Sequence, residues 1–264
     1  MSVNTVKTGS LEYLVAENIN PPHCFTTRLG GVSKGHLASL NLGANRGDEP
    51  GNVEENFRIL SRALGFNADH LVLTRQTHSD IVRAVCKADH LSFNNHDYPE
   101  CDALITNDPG TALMVFSADC TPILFHDPVT GAVGAAHAGW RGTAAGIAAK
   151  TVNAMADTFG CKPENIHAAI GPNIAQCCFE TDGDVPQAMC EAVGDRALAH
   201  IRKSGNKFYV NLKELNALIL RDAGVTSIDI STHCTACRND LFWSHRITGG
   251  HRGSQGAIIV CKEA

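Results

Sequence analysis

The chain has 264 residues, 44% of them apolar, which is enough for one domain (1–264) whose core needs no disulfide staples. Its formal charge is −5 with Lys and Arg scattered, which argues against the clustered basic surface that nucleic acid demands and points to small-molecule partners. Apolar runs are short, the start has no basic segment leading into a long apolar stretch, and the 11 cysteines follow no regular framework. No membrane span or secreted disulfide scaffold is expected, and the reading is a cytoplasmic protein with mostly free thiols.

In chain order, "NVEENFRILSRALG" predicts an amphipathic helix closed by Gly65, and "LVLTRQTHSDIVRAV" predicts strand, turn at Thr77–Asp80, strand. "ALITN" and "ALMVFSA" read as buried strands, and "TPILFH" with "AVGAAH" as a hairpin around Asp127–Thr130. "TAAGIAAKTVNAMADTFG" then reads as one long helix closed by Gly160. After it come "IHAAIG" (strand), "DVPQAMCEAVG" (helix), "KFYVNL" (strand), "KELNALILRDAG" (helix), "SIDIST" (strand) and "GAIIVCK" (strand). The class is α+β, mixed sheets with helices outside; the hairpin resists a parallel doubly wound arrangement.

The hairpin carries the first chemistry. With His126 opposite Gly131, Cys120 faces His137, and directly opposed residues have Cβ atoms about 4.5–5.5 Å apart on one face. Pro122 removes a ladder donor and suits an edge or an irregular entry better than a central strand. His78, at the turn in "RQTHSD", is a third donor able to project beyond a sheet. One thiolate and two imidazoles leave zinc's fourth tetrahedral position open, as a catalytic site requires. Composition alone leaves the alternative of ordinary buried residues open, since the chain has 13 histidines and 11 cysteines.

Seven stretches in order, "HCFTTRLGGVSKGHLASLNLGANRGDEPGNVEENFRIL", "RQTHSD", "CDALIT", "SADCTPILF", "GAAHAGWRGTAAGI", "AAIGPNIAQCCFE" and "HCTACRNDLFWSHR", resemble the YfiH-like, or laccase-domain, family, essentially end to end. The resemblance implies a layered α/β/β/α fold and zinc held by His78, Cys120 and His137, which also serve catalysis. It implies phosphorolysis of purine nucleosides (adenosine, inosine, guanosine, methylthioadenosine) by phosphate, with adenosine deamination as a second activity. Deamination needs water whose pKa a metal lowers toward about 7. Phosphorolysis needs an anion site, and Arg28, Arg246 and Arg141 are the candidates, because a guanidinium offers a planar donor fork to phosphate. The family's usual ending resembles "FSYRRDGTTGR"; here "FWSHRITGGHRGSQG" lacks the second Arg and the Asp, and Arg252 is the candidate to compensate.

Other conspicuous residues read as structural. The "CTAC" at Cys234–Cys237 has no second C-x-x-C to complete four ligands, and Cys177 and Cys178 follow a Gly-Pro turn near the pocket. The glycine-containing loops are neither P-loop nor dinucleotide fingerprints, and Trp140, Phe242 and Trp243 read as core before purine stacking. Two other function classes stand beside the zinc nucleoside enzyme. One is a copper polyphenol oxidase, the older family name; coupled copper sites use His-x-His pairs, which this chain lacks, although copper outcompetes zinc on intrinsic affinity. The other is a thiol hydrolase or amidase, with Cys120 as nucleophile and His137 as base, including the peptidoglycan-precursor editing implied for some relatives. Sequence leaves the oligomeric state open.

Overall fold

The computed structural model describes residues 3–90 and 98–262. The first half runs through β1 (Val3–Thr8), β2 (Leu11–Ala16), β3 (His23–Thr26), α1 (Pro50–Leu64), β4 (Leu71–Leu73), β5 (Val82–Ala84), β6 (Ala103–Thr106), β7 (Ala112–Ser117), β8 (Thr121–His126) and β9 (Val133–Ala138). The second half continues with α2 (Trp140–Ala144), α3 (Ile147–Phe159), β10 (His167–Ile170), β11 (Glu180–Thr181), α4 (Asp184–Val193), β12 (Ile201–Ser204), β13 (Lys207–Val210), α5 (Leu212–Asp222), β14 (Ser227–Ile230), α6 (His245–Thr248) and β15 (Gln255–Val260).

Two six-stranded mixed sheets form, in the orders β1-β2-β3-β15-β7-β4 and β14-β10-β8-β9-β6-β5, with a small sheet β11-β13-β12 beside them. The large sheets face each other across Leu14, Phe25, Leu113, Val115 and Ile259 from the first and Leu104, Leu124, Ala135 and Ala169 from the second. Their outer faces are covered in turn. Phe57, Leu60 and Leu64 of α1 pack on Leu71, Met114 and Ile258, while α3 and α5 pack on Ile105, Ile123, Phe125 and Ile170. Strands buried on both faces read as unbroken apolar runs, which is why "ALMVFS" and "TPILFH" show no alternation. The expected α+β class with mixed sheets and outer helices is the fold observed. Shortening an inner residue such as Leu113 or Leu124 to Ala would cost about 2–5 kcal/mol.

Three local expectations are corrected. The long helix is broken into α2 and α3 because Gly146 takes φ 76°, a left-handed conformation that ends one helix and re-aims the next. The hairpin register places Pro122, not Cys120, opposite His137, with His126 opposite Val133. The loop is longer than four residues because the Asp127 carboxylate accepts from the Val129 and Thr130 N–H groups, and Gly131 turns the chain at φ 74°. The shift is two residues, so side-chain parity survives, and Cys120 and His137 still address one face. Pro122 also lies in a central strand, between β10 and β9. The Pro122 carbonyl still accepts from the Gly171 N–H, so the proline costs the ladder only the bond its own N–H would have made.

Candidate active site and metal centre

Two connections pass from the first sheet to the second at one end of the sandwich, β4 to β5 and β7 to β8. The first carries His78 and the second Cys120, while His137 is the penultimate residue of β9, adjacent to β8.

The "RQTHSD" crossover is held at both ends. Gln76 docks like a strand residue on Phe116, its amide donating to the Phe116 carbonyl at 2.8 Å and its oxygen accepting from the Phe116 N–H at 2.7 Å. The buried Asp102 carboxylate then accepts from the N–H groups of Thr77, His78 and Ser79 at 3.0, 3.2 and 2.7 Å and from the Ser79 hydroxyl at 2.7 Å. These bonds hold His78 at φ 61°, a conformation a β-carbon disfavours, and point its exposed ring at Cys120. Asp119, just before Cys120, is likewise left-handed at φ 93°. Its carboxylate is held by the Thr235 hydroxyl at 2.6 Å, the Ser244 hydroxyl at 3.1 Å and the Arg246 N–H at 2.7 Å. Both positive-φ non-glycine residues of the described chain thus lie at this site. Gly139 completes the packing: a β-carbon there would fall 2.8 Å from the His78 ring and 3.3 Å from Cys120 Sγ. The glycine of "AHAGW" is therefore needed where two donors converge.

Cys120 Sγ lies 3.8 Å from His78 Nε2, the His78 and His137 rings meet edge to face at 5.0 Å between centroids, and the donors of all three residues lie within 4.8 Å of one another. Bonds of about 2.3 Å to sulfur and 2.0 Å to nitrogen at a tetrahedral centre put S and N roughly 3.5 Å apart, so the set fits zinc with little adjustment. The tautomer is set as well. His137 Nδ1 lies 2.8 Å from Asp102 Oδ1, which leaves Nε2 for an ion. Burial works against ionising Asp102, but the hydrogen bonds from His137 and Ser79 bring its carboxyl down to about 2. Burial likewise opposes charge on Cys120 and His137, yet the two overcome it together. The imidazolium lowers the thiol and the thiolate raises the imidazole, aided by Asp102. The Cys120 thiol is thus brought down to about 6, toward the thiolate form that a metal or an electrophile requires.

These residues open into a cleft of about 470 Å³ whose lining includes Phe57, Phe116 and Tyr98 and also Arg46, Arg252 and Ser254. The three sequence-stretch arginines lie outside this lining. Arg28 donates to the carbonyls of Ala38 and Asn239 and stacks on Trp243 at 3.8 Å. Arg246 donates to the carbonyls of Cys178 and Glu180, and Arg141 stacks on Trp140 at 4.3 Å. Arg252 is the guanidinium that reaches the cleft from the divergent C-terminal segment, with Nη1 on the Gly253 carbonyl and the Ser254 hydroxyl and a buried Nε that has no partner among the described residues. Burial and then the charge of Arg46 pull it down to about 10. Two cations brought together at one cleft offer the donor forks that an anion would need. Sequence reasoning passed over Asp102, although "CDALIT" contained it, and over Arg46.

Trp243 and Phe242 are buried in the core, Trp243 donating Nε1 to the Leu40 carbonyl, in line with the reading of them as core. Besides the His78 site, one other group among the described residues brings metal-ligating side chains together, Cys177, Cys178, Cys234 and Cys237. The missing half of "CTAC" is thus an adjacent cysteine pair and not a second C-x-x-C. Among the described residues, no helix is long and apolar enough to cross a membrane.

Residues 22–262 match the family model described as multi-copper polyphenol oxidoreductase laccase. The chain is 38% identical over 251 residues to a purine nucleoside phosphorylase of Deinococcus radiodurans, covering 94% of this chain and 92% of that one. It is 38% identical over 245 residues to the purine nucleoside phosphorylase YlmD of Geobacillus stearothermophilus, covering 90% and 89%. The crystal structure of Bacillus licheniformis YfiH superposes with a TM-score of 0.92 at 33% identity, covering 97% of this chain and 98% of the other. With a family match across nearly the whole length and relatives above the identity that fixes a family, the chain belongs to the YfiH-like laccase-domain family.

Proposed function

We propose that the protein is a zinc-dependent purine nucleoside phosphorylase, acting on adenosine, inosine, guanosine and methylthioadenosine, with adenosine deamination as a second activity at the same site. The names of its relatives support the class. The observation that carries the reading is the juxtaposition, in one cleft, of a three-donor centre with an open side, a pair of guanidinium groups and an aromatic wall.

The residues divide the work. Arg252 and Arg46, two guanidinium groups that line the cleft together, hold phosphate there. Phe116 and Tyr98 offer faces to the purine, and their apolar surface excludes water from the glycosidic carbon. His78, Cys120 and His137 hold the metal, which when bound supplies Lewis acidity to the reacting nucleoside. Asp102 keeps the proton on His137 Nδ1, fixing the ring for its role. In phosphorolysis, a phosphate oxygen forms the bond to the anomeric carbon as the bond to the purine nitrogen breaks, giving free base and sugar 1-phosphate.

The Cys120–His137 thiolate–imidazolium pair, oriented by Asp102, also supports a thiol hydrolase or amidase. His78, aimed at the same sulfur from a left-handed backbone, then has no task. Protein purified without added metal, analysed for metal content and incubated with inosine, separates the readings. About one zinc at this site, with base release that requires phosphate, supports the phosphorylase. Activity in metal-free protein establishes the thiol enzyme, and stoichiometric copper with phenol oxidation establishes the oxidase.

A further inference from the structure

Cys177 and Cys178 end the segment that follows β10, and Cys234 and Cys237 open the segment that follows β14. The nucleoside chemistry uses none of these four. Cys237 Sγ lies 3.6 Å from Cys177 Sγ and 3.4 Å from Cys178 Sγ, and the four sulfurs lie within 4.8 Å of one another. A disulfide would require about 2.05 Å. The edge of a tetrahedron of sulfurs around zinc, with bonds of about 2.3 Å, is roughly 3.8 Å, close to the spacing found.

Two further observations concern the polar surroundings of the group. The Ala175 N–H donates to Cys234 Sγ at 3.3 Å, an outer hydrogen bond of the kind that orients a ligating sulfur. Lys213, 5% exposed, donates its ammonium to the Ser231 and His233 carbonyls at 2.7 and 2.6 Å, beside this group. Buried ammonium groups are rare without anionic compensation, which four thiolates around a divalent ion would supply.

We propose that Cys177, Cys178, Cys234 and Cys237 hold a second metal ion, a closed four-thiolate structural site for zinc. The site ties two segments that both support the active centre. Asn173, paired with Cys234 in an isolated bridge, donates to the Thr121 hydroxyl next to Cys120, and Thr235 donates to Asp119 on its other side. The ion acts as a clamp on the wall behind Cys120.

The test uses the full chain purified without added metal, with a non-thiol reductant. Elemental analysis gives about two zinc per chain for the unaltered protein, and about one for each of Cys120→Ala and Cys237→Ser. Cobalt exchanged into the Cys120→Ala protein gives intense thiolate-to-metal charge-transfer absorption with tetrahedral d–d bands. In the unaltered protein these cysteines resist alkylation until a chelator is added, a readout that does not depend on any variant folding. About one zinc in the unaltered protein, with all four thiols alkylated at once in the native state, overturns the proposal. So does a disulfide within the group, seen as a mass increase on reduction of a portion purified without the reductant, or iron or copper recovered in place of the second zinc.

Discussion

The Asp102 carboxylate and the His137 imidazole meet at 2.8 Å in the protein interior, and the same carboxylate gathers three consecutive N–H groups of the chain that carries His78. One buried acid therefore sets both the tautomer of one metal donor and the backbone of another. In Asp102→Asn, the amide nitrogen confronts at least one of these donors, and the preference for protonated Nδ1 is lost. Metal affinity and turnover should fall about 10–100-fold while the fold persists, as a chelator competition and a nucleoside assay on the same preparation will show.

Cys120→Ala removes the thiolate and leaves two imidazoles. Zinc at this site and activity should fall together, with the circular dichroism spectrum unchanged, because the two-sheet core does not depend on this ion. Full zinc retention at His78 and His137 would sink the assignment.

Gly139→Ala places a methyl 2.8 Å from the His78 ring and 3.3 Å from Cys120 Sγ. Gly139 is held between the last residue of β9 and the first of α2, whose Thr143 N–H donates to its carbonyl, so the His78 ring is the group that yields. Metal occupancy at this site should drop below half while the melting temperature moves by only a few degrees, roughly what 1 kcal/mol gives at this size. An unchanged occupancy would mean that His78 is not a ligand.

Arg252→Met, which keeps an unbranched chain and removes the donor fork, should raise the KM for phosphate at least tenfold and leave phosphate-independent deamination of adenosine nearly intact. Arg28→Met should act otherwise. Its guanidinium serves the Ala38 and Asn239 carbonyls and the Trp243 face, so it should lower the urea midpoint without a selective effect on phosphate. A selective phosphate defect in Arg28→Met with none in Arg252→Met would reverse the assignment of the anion site.

His126 contributes a pH dependence of stability. It is buried in β8 with Nδ1 unpartnered, and burial, then the neighbouring His167, brings it down to about 4. The folded pKa lies below the ordinary value near 6.5, so the unfolded chain takes up the proton first as pH falls. Stability is unaffected above about 6.5 and falls between there and about 4, by roughly 3 kcal/mol in all for 2.5 pKa units. His126→Phe should flatten that slope in urea titrations made in the Cys120→Ala background, where ion release at this centre no longer contributes. An equal slope in both proteins would place the acid sensitivity elsewhere.

How much was legible in advance depended on how local the determining contacts are. Gly65 and Gly160 closed their helices as read, each left-handed at φ 71° and 69°. Cys120 and His137 were placed on one face through a wrong register because parity survives a two-residue shift, whereas the Asx-turn that lengthened the loop depends on one carboxylate finding its own backbone. The "VNTVKT" of β1 is polar and exposed at an edge, so no apolar run announced it. Asp102 escaped notice because its partners lie 23–35 residues away, and the arginines because a guanidinium's destination is a tertiary property. The four-cysteine group was unreadable for the same reason, its two pairs being 59–60 residues apart.

The two connections that lead from the first sheet to the second bear on how the molecule comes together. Because His78 and Cys120 each ride a connection that leaves one sheet and enters the other, neither sheet alone can present the donor set. The candidate metal centre therefore exists only once the two faces have docked, and an ion that binds solely the docked state adds to its stability as its free concentration exceeds the dissociation constant. Uptake of metal during refolding becomes a clock for the last large step of assembly, readable by eye with cobalt, and it should lag behind the formation of either sheet.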